Sequence, residues 1–220
     1  MKAIVFDLDG TLVDSALDIH AAANKMLATL DHVPLDLPTI TSFIGNGLPK
    51  LVERVMRARG IDPARHEELT QVTLEIYSKA SADLTRPYPN MVAALETLEA
   101  AGYVMGVCTN KPVAPAEDIL NDLNLKRFFK LVIGGDSLPV KKPDPAPLVK
   151  SFDDLGATAR LYVGDSEVDA ATAHAAGIDF ALFTEGYRKV PVEELPYRAK
   201  FDDFAALPGI VEDAFGATKA

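Results

Sequence analysis

A single cysteine, Cys108, stands in the 220 residues, which excludes an internal disulfide as a source of stability. It falls within the apolar run 103–109, so it reads as a buried structural thiol rather than a nucleophile. Positive charge is also scarce: 22 Lys and Arg stand against 32 Asp and Glu, a formal net charge of −10. Nucleic acid and anionic membrane surfaces are therefore poor partners. Any phosphate-bearing substrate must be met by a metal ion and a few local cations. No apolar run approaches the ~18 residues of a membrane span. The run Ala3-Ile4-Val5-Phe6 is too short for a signal peptide, so a cytoplasmic protein is expected. Repeats and low-complexity tracts are missing too. What is present is ordinary for a folded chain: 48% apolar and 25% charged residues, enough for one large domain or a main domain with a smaller insertion.

Short apolar runs ending in polar residues recur at 3–6, 104–108, 131–133, 161–163 and 180–183. They have strand length and several β-branched residues, which predicts doubly buried parallel strands. Helical patterns separate them at 91–101, 114–123, 146–155 and 168–176, three of them followed by Gly102, Gly156 and Gly177 as helix ends. This alternation predicts an α/β fold with a doubly wound, mostly parallel, Rossmann-like sheet. Between Ser15 and Arg86 the alternation stops, and only helical stretches appear at 17–30, 48–59 and 66–84. A block of about 70 residues is too long for a crossover, whose loops run ~2–6 residues around one helix. It predicts an α-helical cap at 15–85 inserted into a catalytic core of 1–14 and 86–220, hinged at Asp14-Ser15 and at 85–89.

The chemistry begins at Phe6-Asp7-Leu8-Asp9-Gly10. Side chains two apart in extended chain point the same way. Asp7 and Asp9 therefore converge beyond the carboxyl end of the first strand, where open α/β sheets place ligands. An acidic turn or a calcium loop is the competing reading, but position twelve of such a loop is Asp18, not the required Glu. A second strand ends in Gly164-Asp165-Ser166-Glu167-Val168-Asp169, which sets Asp165 and Asp169 one helical turn apart. Asp7, Asp9, Asp165 and Asp169 at one sheet edge call for a cation, and all-oxygen ligands point to Mg2+. Glu167 is expected to face outward. In Cys108-Thr109-Asn110-Lys111-Pro112 a strand ends in a hydroxyl and an amide before a helix start, able to donate to phosphate. Lys141-Lys142-Pro143 offers a lysine to neutralise nucleophile and phosphate, with either member of the doublet a candidate.

Together these segments resemble the haloacid dehalogenase superfamily, in its phosphatase branch with a helical cap after the first motif. Within it they are similar to the bacterial phosphoglycolate phosphatases, through Ile44-Gly45-Asn46-Gly47, Thr109-Asn110-Lys111-Pro112, Lys141-Lys142-Pro143 and Gly186-Tyr187. The resemblance implies a Mg2+-dependent phosphomonoester hydrolase working through an aspartyl-phosphate, with 2-phosphoglycolate the small phosphorylated metabolite. It implies Asp7 as nucleophile and metal ligand, and Asp9 as general acid/base that offers its main-chain carbonyl to the metal. Asp165 would ligate directly with Asp169 in support, and Thr109, Asn110 and Lys142 would hold the phosphoryl group. Gly45, Asn46 and Gly47 would present donors to the rest of the substrate, with Lys50 and Arg54 as nearby cations. A monomer or homodimer is expected. A β-phosphoglucomutase-like mutase, another small-metabolite phosphatase, and a non-catalytic metal- or phosphate-binding module remain the alternatives.

Overall fold

A computed structural model of the chain describes residues 1–80 and 82–216. Ser81, inside the helix expected over 66–84, and residues 217–220, at the end of the expected core, lie outside the described residues. In chain order the elements are β1 (Lys2–Phe6), β2 (Val13–Asp14), α1 (Ala16–Ala28), α2 (Leu37–Thr41), α3 (Leu48–Arg59), α4 (His66–Ser78) and β3 (Arg86–Pro87). There follow α5 (Met91–Ala100), β4 (Val104–Cys108), α6 (Val113–Asp122), β5 (Phe129–Ile133), α7 (Ala146–Asp154), β6 (Ala159–Gly164), α8 (Glu167–Ala176), β7 (Asp179–Phe183), β8 (Ala199–Phe201) and α9 (Leu207–Gly216).

Six strands form one parallel sheet in the order β5-β4-β1-β6-β7-β8. Successive side chains of a strand face opposite ways. Ile4 and Phe6 of β1 accordingly enter one apolar layer with Leu161, Val163 and Phe183, while Ala3 and Val5 enter the other with Tyr162 and Leu182. Helices α5 and α9 cover the first layer, and α7 and α8 the second. This is the doubly wound arrangement that continuous apolar runs require. A fully buried Phe or Leu contributes about 1.5–3 kcal/mol, so β1, with four residues at 0% exposure, anchors the sheet. Gly102, Gly156 and Gly177 do follow helices, with φ of 81°, 63° and 64°.

The chain runs from β1 out to β4 and β5, then returns to β6 on the other side of β1. The carboxyl ends of β4, β1 and β6 thus frame the point where strand order reverses, the crevice such sheets use for ligands.

The stretch between β2 and β3 is helical. Those two short strands pair antiparallel, with Asp14 opposite Arg86, so the chain leaves and rejoins the sheet through one two-stranded stalk. In α3, Leu51, Val52, Val55 and Met56 make the buried stripe, Pro49 sits in the first turn, and Gly60 closes the end at φ 64°. Helix α4 stops at Ser78 rather than Leu84. The chain turns there because the Leu84 and Thr85 amides are drawn to the Asp18 carboxylate on α1, at 3.1 and 2.8 Å, with Thr85 Oγ1 donating at 2.7 Å. Asp18 is 3% exposed. Asp18→Ala removes the buried carboxylate that accepts from the Leu84 amide, the Thr85 amide and Thr85 Oγ1, and loss of a hydrogen bond to a charged group costs about 1.5–3 kcal/mol. A Tm several degrees lower is expected in a thermal melt; an unchanged Tm would remove Asp18 as a tie.

Candidate active site

Asp7 follows β1 directly; its amide is the last ladder donor, to the Val163 carbonyl at 2.9 Å. Its Oδ1 accepts from the Leu8 amide at 2.7 Å, which fixes the carboxylate over the strand end. Asp165 follows β6, and Asp169 lies one turn into α8. Ser166 caps that helix: the Asp169 amide donates to its Oγ, and the Ser166 amide and Oγ donate to Asp169 Oδ2 at 3.2 and 2.6 Å. Capping thereby locks one member of the acidic group. Oxygen atoms of Asp7, Asp165 and Asp169 all come within 4.8 Å of one another, and all three residues are buried. Gly10, at φ 85°, lets the chain pass so close to Asp165 that a Cβ there would stand 2.6 Å from its Oδ2.

One lysine ties this group together. Lys142 Nζ lies 3.0 Å from Asp7 Oδ1 and 2.7 Å from Asp169 Oδ1, and donates to Tyr162 Oη at 2.8 Å. Burial opposes its charge, but Asp169 and Asp7 outweigh burial and hold the ammonium above the ordinary lysine range. Asp169, despite burial, is held below the ordinary carboxyl value by Lys142 and by donors from Ser166 and Tyr162. Asp7 goes the other way: burial pushes it up to about 7, against the pull of Lys142. Burial, with Asp169 and Asp7 beside it, likewise raises Asp165 well above the usual carboxyl value. One lysine leaves two of three buried carboxyls short of countercharge. Hard oxygen donors in that condition fit a divalent ion such as Mg2+, with Asp7 and Asp165 the available ligands and Asp169 already committed to its donors.

Asp9 faces away from this group. Its Oδ1 accepts from Ser15 Oγ at 2.5 Å, and Lys111 Nζ lies 2.9 Å from both its oxygens. It lines a pocket between the strand ends and the α1–α4 helices, together with Asp7, Thr109, Gly45 and Gly47. Lys142 is 2% exposed and contacts Asp7; Lys141 is exposed. Glu167 points outward to Lys189, 3.7 Å away.

Two expectations change. The Asn110 amide does not aim its N–H groups at the pocket: it donates to the carbonyls of Lys142 at 2.9 Å and Gly45 at 3.1 Å. It fastens the 44–47 loop to the lysine loop instead. Asn46 is turned away likewise, its Oδ1 accepting from Arg54 Nη2 at 2.8 Å. Arg54 is spent on that bond and on the Phe43 carbonyl, and Lys50 pairs with Glu53 on the surface. Amide and guanidinium chemistry was visible in the sequence; the competing backbone acceptors were not. Sequence reasoning also gave no role to Lys111, Tyr77 or Tyr187. Tyr187 donates its amide to Asp165 Oδ2 at 2.6 Å, while its hydroxyl donates to Asp14 and accepts from the Ser15 amide at 2.8 Å. It joins the acidic group to the stalk.

Residues 4–183 match the haloacid dehalogenase-like hydrolase family, and the chain belongs to that family. Among its relatives, a phosphoglycolate phosphatase of Cereibacter sphaeroides is 52% identical over 213 residues, covering 96% of this chain and 98% of the relative. A phosphoglycolate phosphatase of Rhodobacter capsulatus is 44% identical, with 96% of each chain covered. The crystal structure of a predicted phosphoglycolate phosphatase from Haemophilus somnus 129pt superposes with a TM-score of 0.90 at 32% identity, over 96% of this chain and 97% of that one. Among the described residues no helix is long and apolar enough to cross a membrane.

Proposed function

We propose that this chain is a Mg2+-dependent phosphomonoester hydrolase that converts 2-phosphoglycolate to glycolate and phosphate. The observation that carries the chemistry is the split between two neighbouring carboxylates that line one pocket: Asp7 belongs to the buried acidic group on Lys142, while Asp9 is held apart from it by Ser15 and Lys111. The substrate assignment is supported by relatives of that name at 52% and 44% identity over nearly the whole chain.

In this reading residues 15–85 close over a core of 1–14 and 86–220. The Asp7 carboxylate attacks phosphorus in line, the bond to the bridging oxygen breaks, and Asp9 hands that oxygen its proton. Asp9, now a carboxylate, takes a proton from water, which attacks the aspartyl-phosphate and restores Asp7. Lys142 and Thr109 stabilise charge on the phosphoryl oxygens, where phosphoryl transfer gains most. Mg2+ held by Asp7 and Asp165, with Asp169 in support, would neutralise the same oxygens and keep Asp7 ionised. The Asn110 clamp closes the Gly45–Gly47 loop on the core, and that closure shields the reacting group from water.

The test is phosphate release from a panel of small monophosphates with Mg2+. The expected result is a kcat/KM for 2-phosphoglycolate at least about tenfold above sugar phosphates. No release from any ester overturns the enzyme reading. Turnover of a hexose phosphate that requires a bisphosphate activator would mark a mutase.

A further inference from the structure

Tyr77, near the end of α4, is 5% exposed and lines the pocket. Its hydroxyl is buried and finds no acceptor for its hydrogen, while Lys111 stands close enough to donate to its oxygen. Burial of such a group without compensation is costly, and the chain keeps it beside a cation: Lys111 Nζ sits 4.6 Å from the Tyr77 ring centroid. Burial pushes the phenol up to about 12, so the hydroxyl stays a donor. Lys111 is 7% exposed and also lines the pocket. Among the other basic side chains of this region, Lys50 is engaged on Glu53, Arg54 on Asn46 and the Phe43 carbonyl, and Lys189 on the Ile44 carbonyl, while Lys141 is exposed beside the Gly47 loop and does not line the pocket. The remaining pocket wall from the helices is apolar, with Ile19, Ala22 and Leu51, apart from Thr73, whose Oγ1 donates to the Leu69 carbonyl at 2.6 Å.

We infer that Tyr77 Oη and Lys111 Nζ form the receptor for an anionic group carried by the substrate next to its phosphate, a carboxylate one methylene from the bridging oxygen. This deepens the proposed function and rests on it. Asp9 serves the bridging oxygen in that reading, and Lys111 touches both oxygens of Asp9. The ammonium therefore stands beside the proton donor in the pocket lining, within reach of a carboxylate carried next to the bridging oxygen. Tyr77 comes from the helical block and Lys111 from the loop after β4. A carboxylate bridging the two would draw the helices onto the strand ends, so the substrate's own charge favours closure. An ester without that charge leaves the hydroxyl without an acceptor and is rejected on that account.

The experiment compares 2-phosphoglycolate with 2-hydroxyethyl phosphate, which has the same skeleton and a neutral end. Tyr77→Phe removes one oxygen from a buried site and keeps the ring, so the fold should hold; a melt checks it. The expected result is a kcat/KM for 2-phosphoglycolate lowered by roughly tenfold or more through KM. The ratio between the two esters should fall by the same factor. Lys111→Gln, which still donates to Asp9 without charge, should collapse the ratio further, and Lys111→Arg should restore part of it. Lys130→Met, on an exposed residue of β5 outside the pocket lining, should leave the ratio intact. Equal losses on both esters in Tyr77→Phe and Lys111→Gln would make these positioning residues for Asp9 and overturn the receptor. A wild-type enzyme that hydrolyses both esters equally well would overturn the substrate assignment instead, and no phosphate release at all would overturn the enzyme reading.

Discussion

Asp7→Asn is expected to reduce phosphate release by about 10⁴-fold or more, the scale on which enzymes respond to loss of a nucleophile, with the fold retained. The substitution is nearly isosteric, and an amide oxygen can still accept from the Leu8 amide and from Lys142, now 2.7 and 3.0 Å from Oδ1. It also removes a buried carboxyl that burial pushes up to about 7, so a melt in chelator should show Tm unchanged or slightly higher. What vanishes is the atom that bonds phosphorus. Asp9→Asn tests the division of labour from the other side. A p-nitrophenolate leaving group needs no proton, so that variant should lose far more with an alkyl phosphate than with p-nitrophenyl phosphate in the first step. Near wild-type turnover in Asp7→Asn would sink the nucleophile assignment. Equal sensitivity of Asp9→Asn to both esters would sink the proton role.

How much could be read beforehand depended on whether the signal was local. The central strands are buried on both faces, so their apolar runs carried strand length and position together; 3–6 and 104–108 needed at most one residue of adjustment to become β1 and β4. The stalk strands β2 and β3 have two residues each and no periodicity to detect. Helix α2 escaped for a similar reason, although Asp36 accepting from the Thr39 amide and Pro38 in the first turn were legible start signals. Helix α4 was overextended because its stop is a tertiary event, the capture of residues 84 and 85 by Asp18. The acidic residues were legible as strand-end carboxylates, since backbone position alone brings Asp7 and Asp165 together. The residues alone left Lys141 and Lys142 both open and only the resemblance pointed to Lys142; in the fold burial separates them, with Lys142 2% exposed and Lys141 at the surface. Tyr77 is the clearest case of what sequence hides. On a helix it reads as one more apolar-face residue; that its hydroxyl has no acceptor while a buried ammonium stands beside its ring exists only in the folded chain.

Metal and protons compete for the same carboxyls, and that competition gives a second large effect. In chelator, stability should fall as the pH rises from about 4 to about 7, and Mg2+ should restore it by an increment that grows with pH. An unfolded aspartate titrates near 3.8, whereas folded Asp7 is pushed up to about 7, with Asp165 raised in the same direction. Between those values the folded chain binds more protons than the unfolded one, so this contribution to stability is complete below the lower value and is lost as the pH passes the upper. Asp169, held low chiefly because Lys142 overcomes its burial, acts oppositely but only below the unfolded value, outside this window. Mg2+ requires the ionised carboxylates, so its binding releases protons and tightens over the range where the metal-free fold weakens. At a hundredfold excess over Kd a ligand adds about 2.7 kcal/mol, roughly 5–10 °C in Tm for a chain of this size. Melts at pH 5, 6, 7 and 8, each with EDTA and with excess Mg2+, read the increment directly, and groups remote from the acidic cluster cancel in the difference. An increment equal at pH 5 and pH 8, or one that survives in Asp165→Asn, would move the metal away from these carboxylates. An increment that widens with pH and disappears in that variant ties the ion, the raised carboxyls and the strand-end geometry to one site.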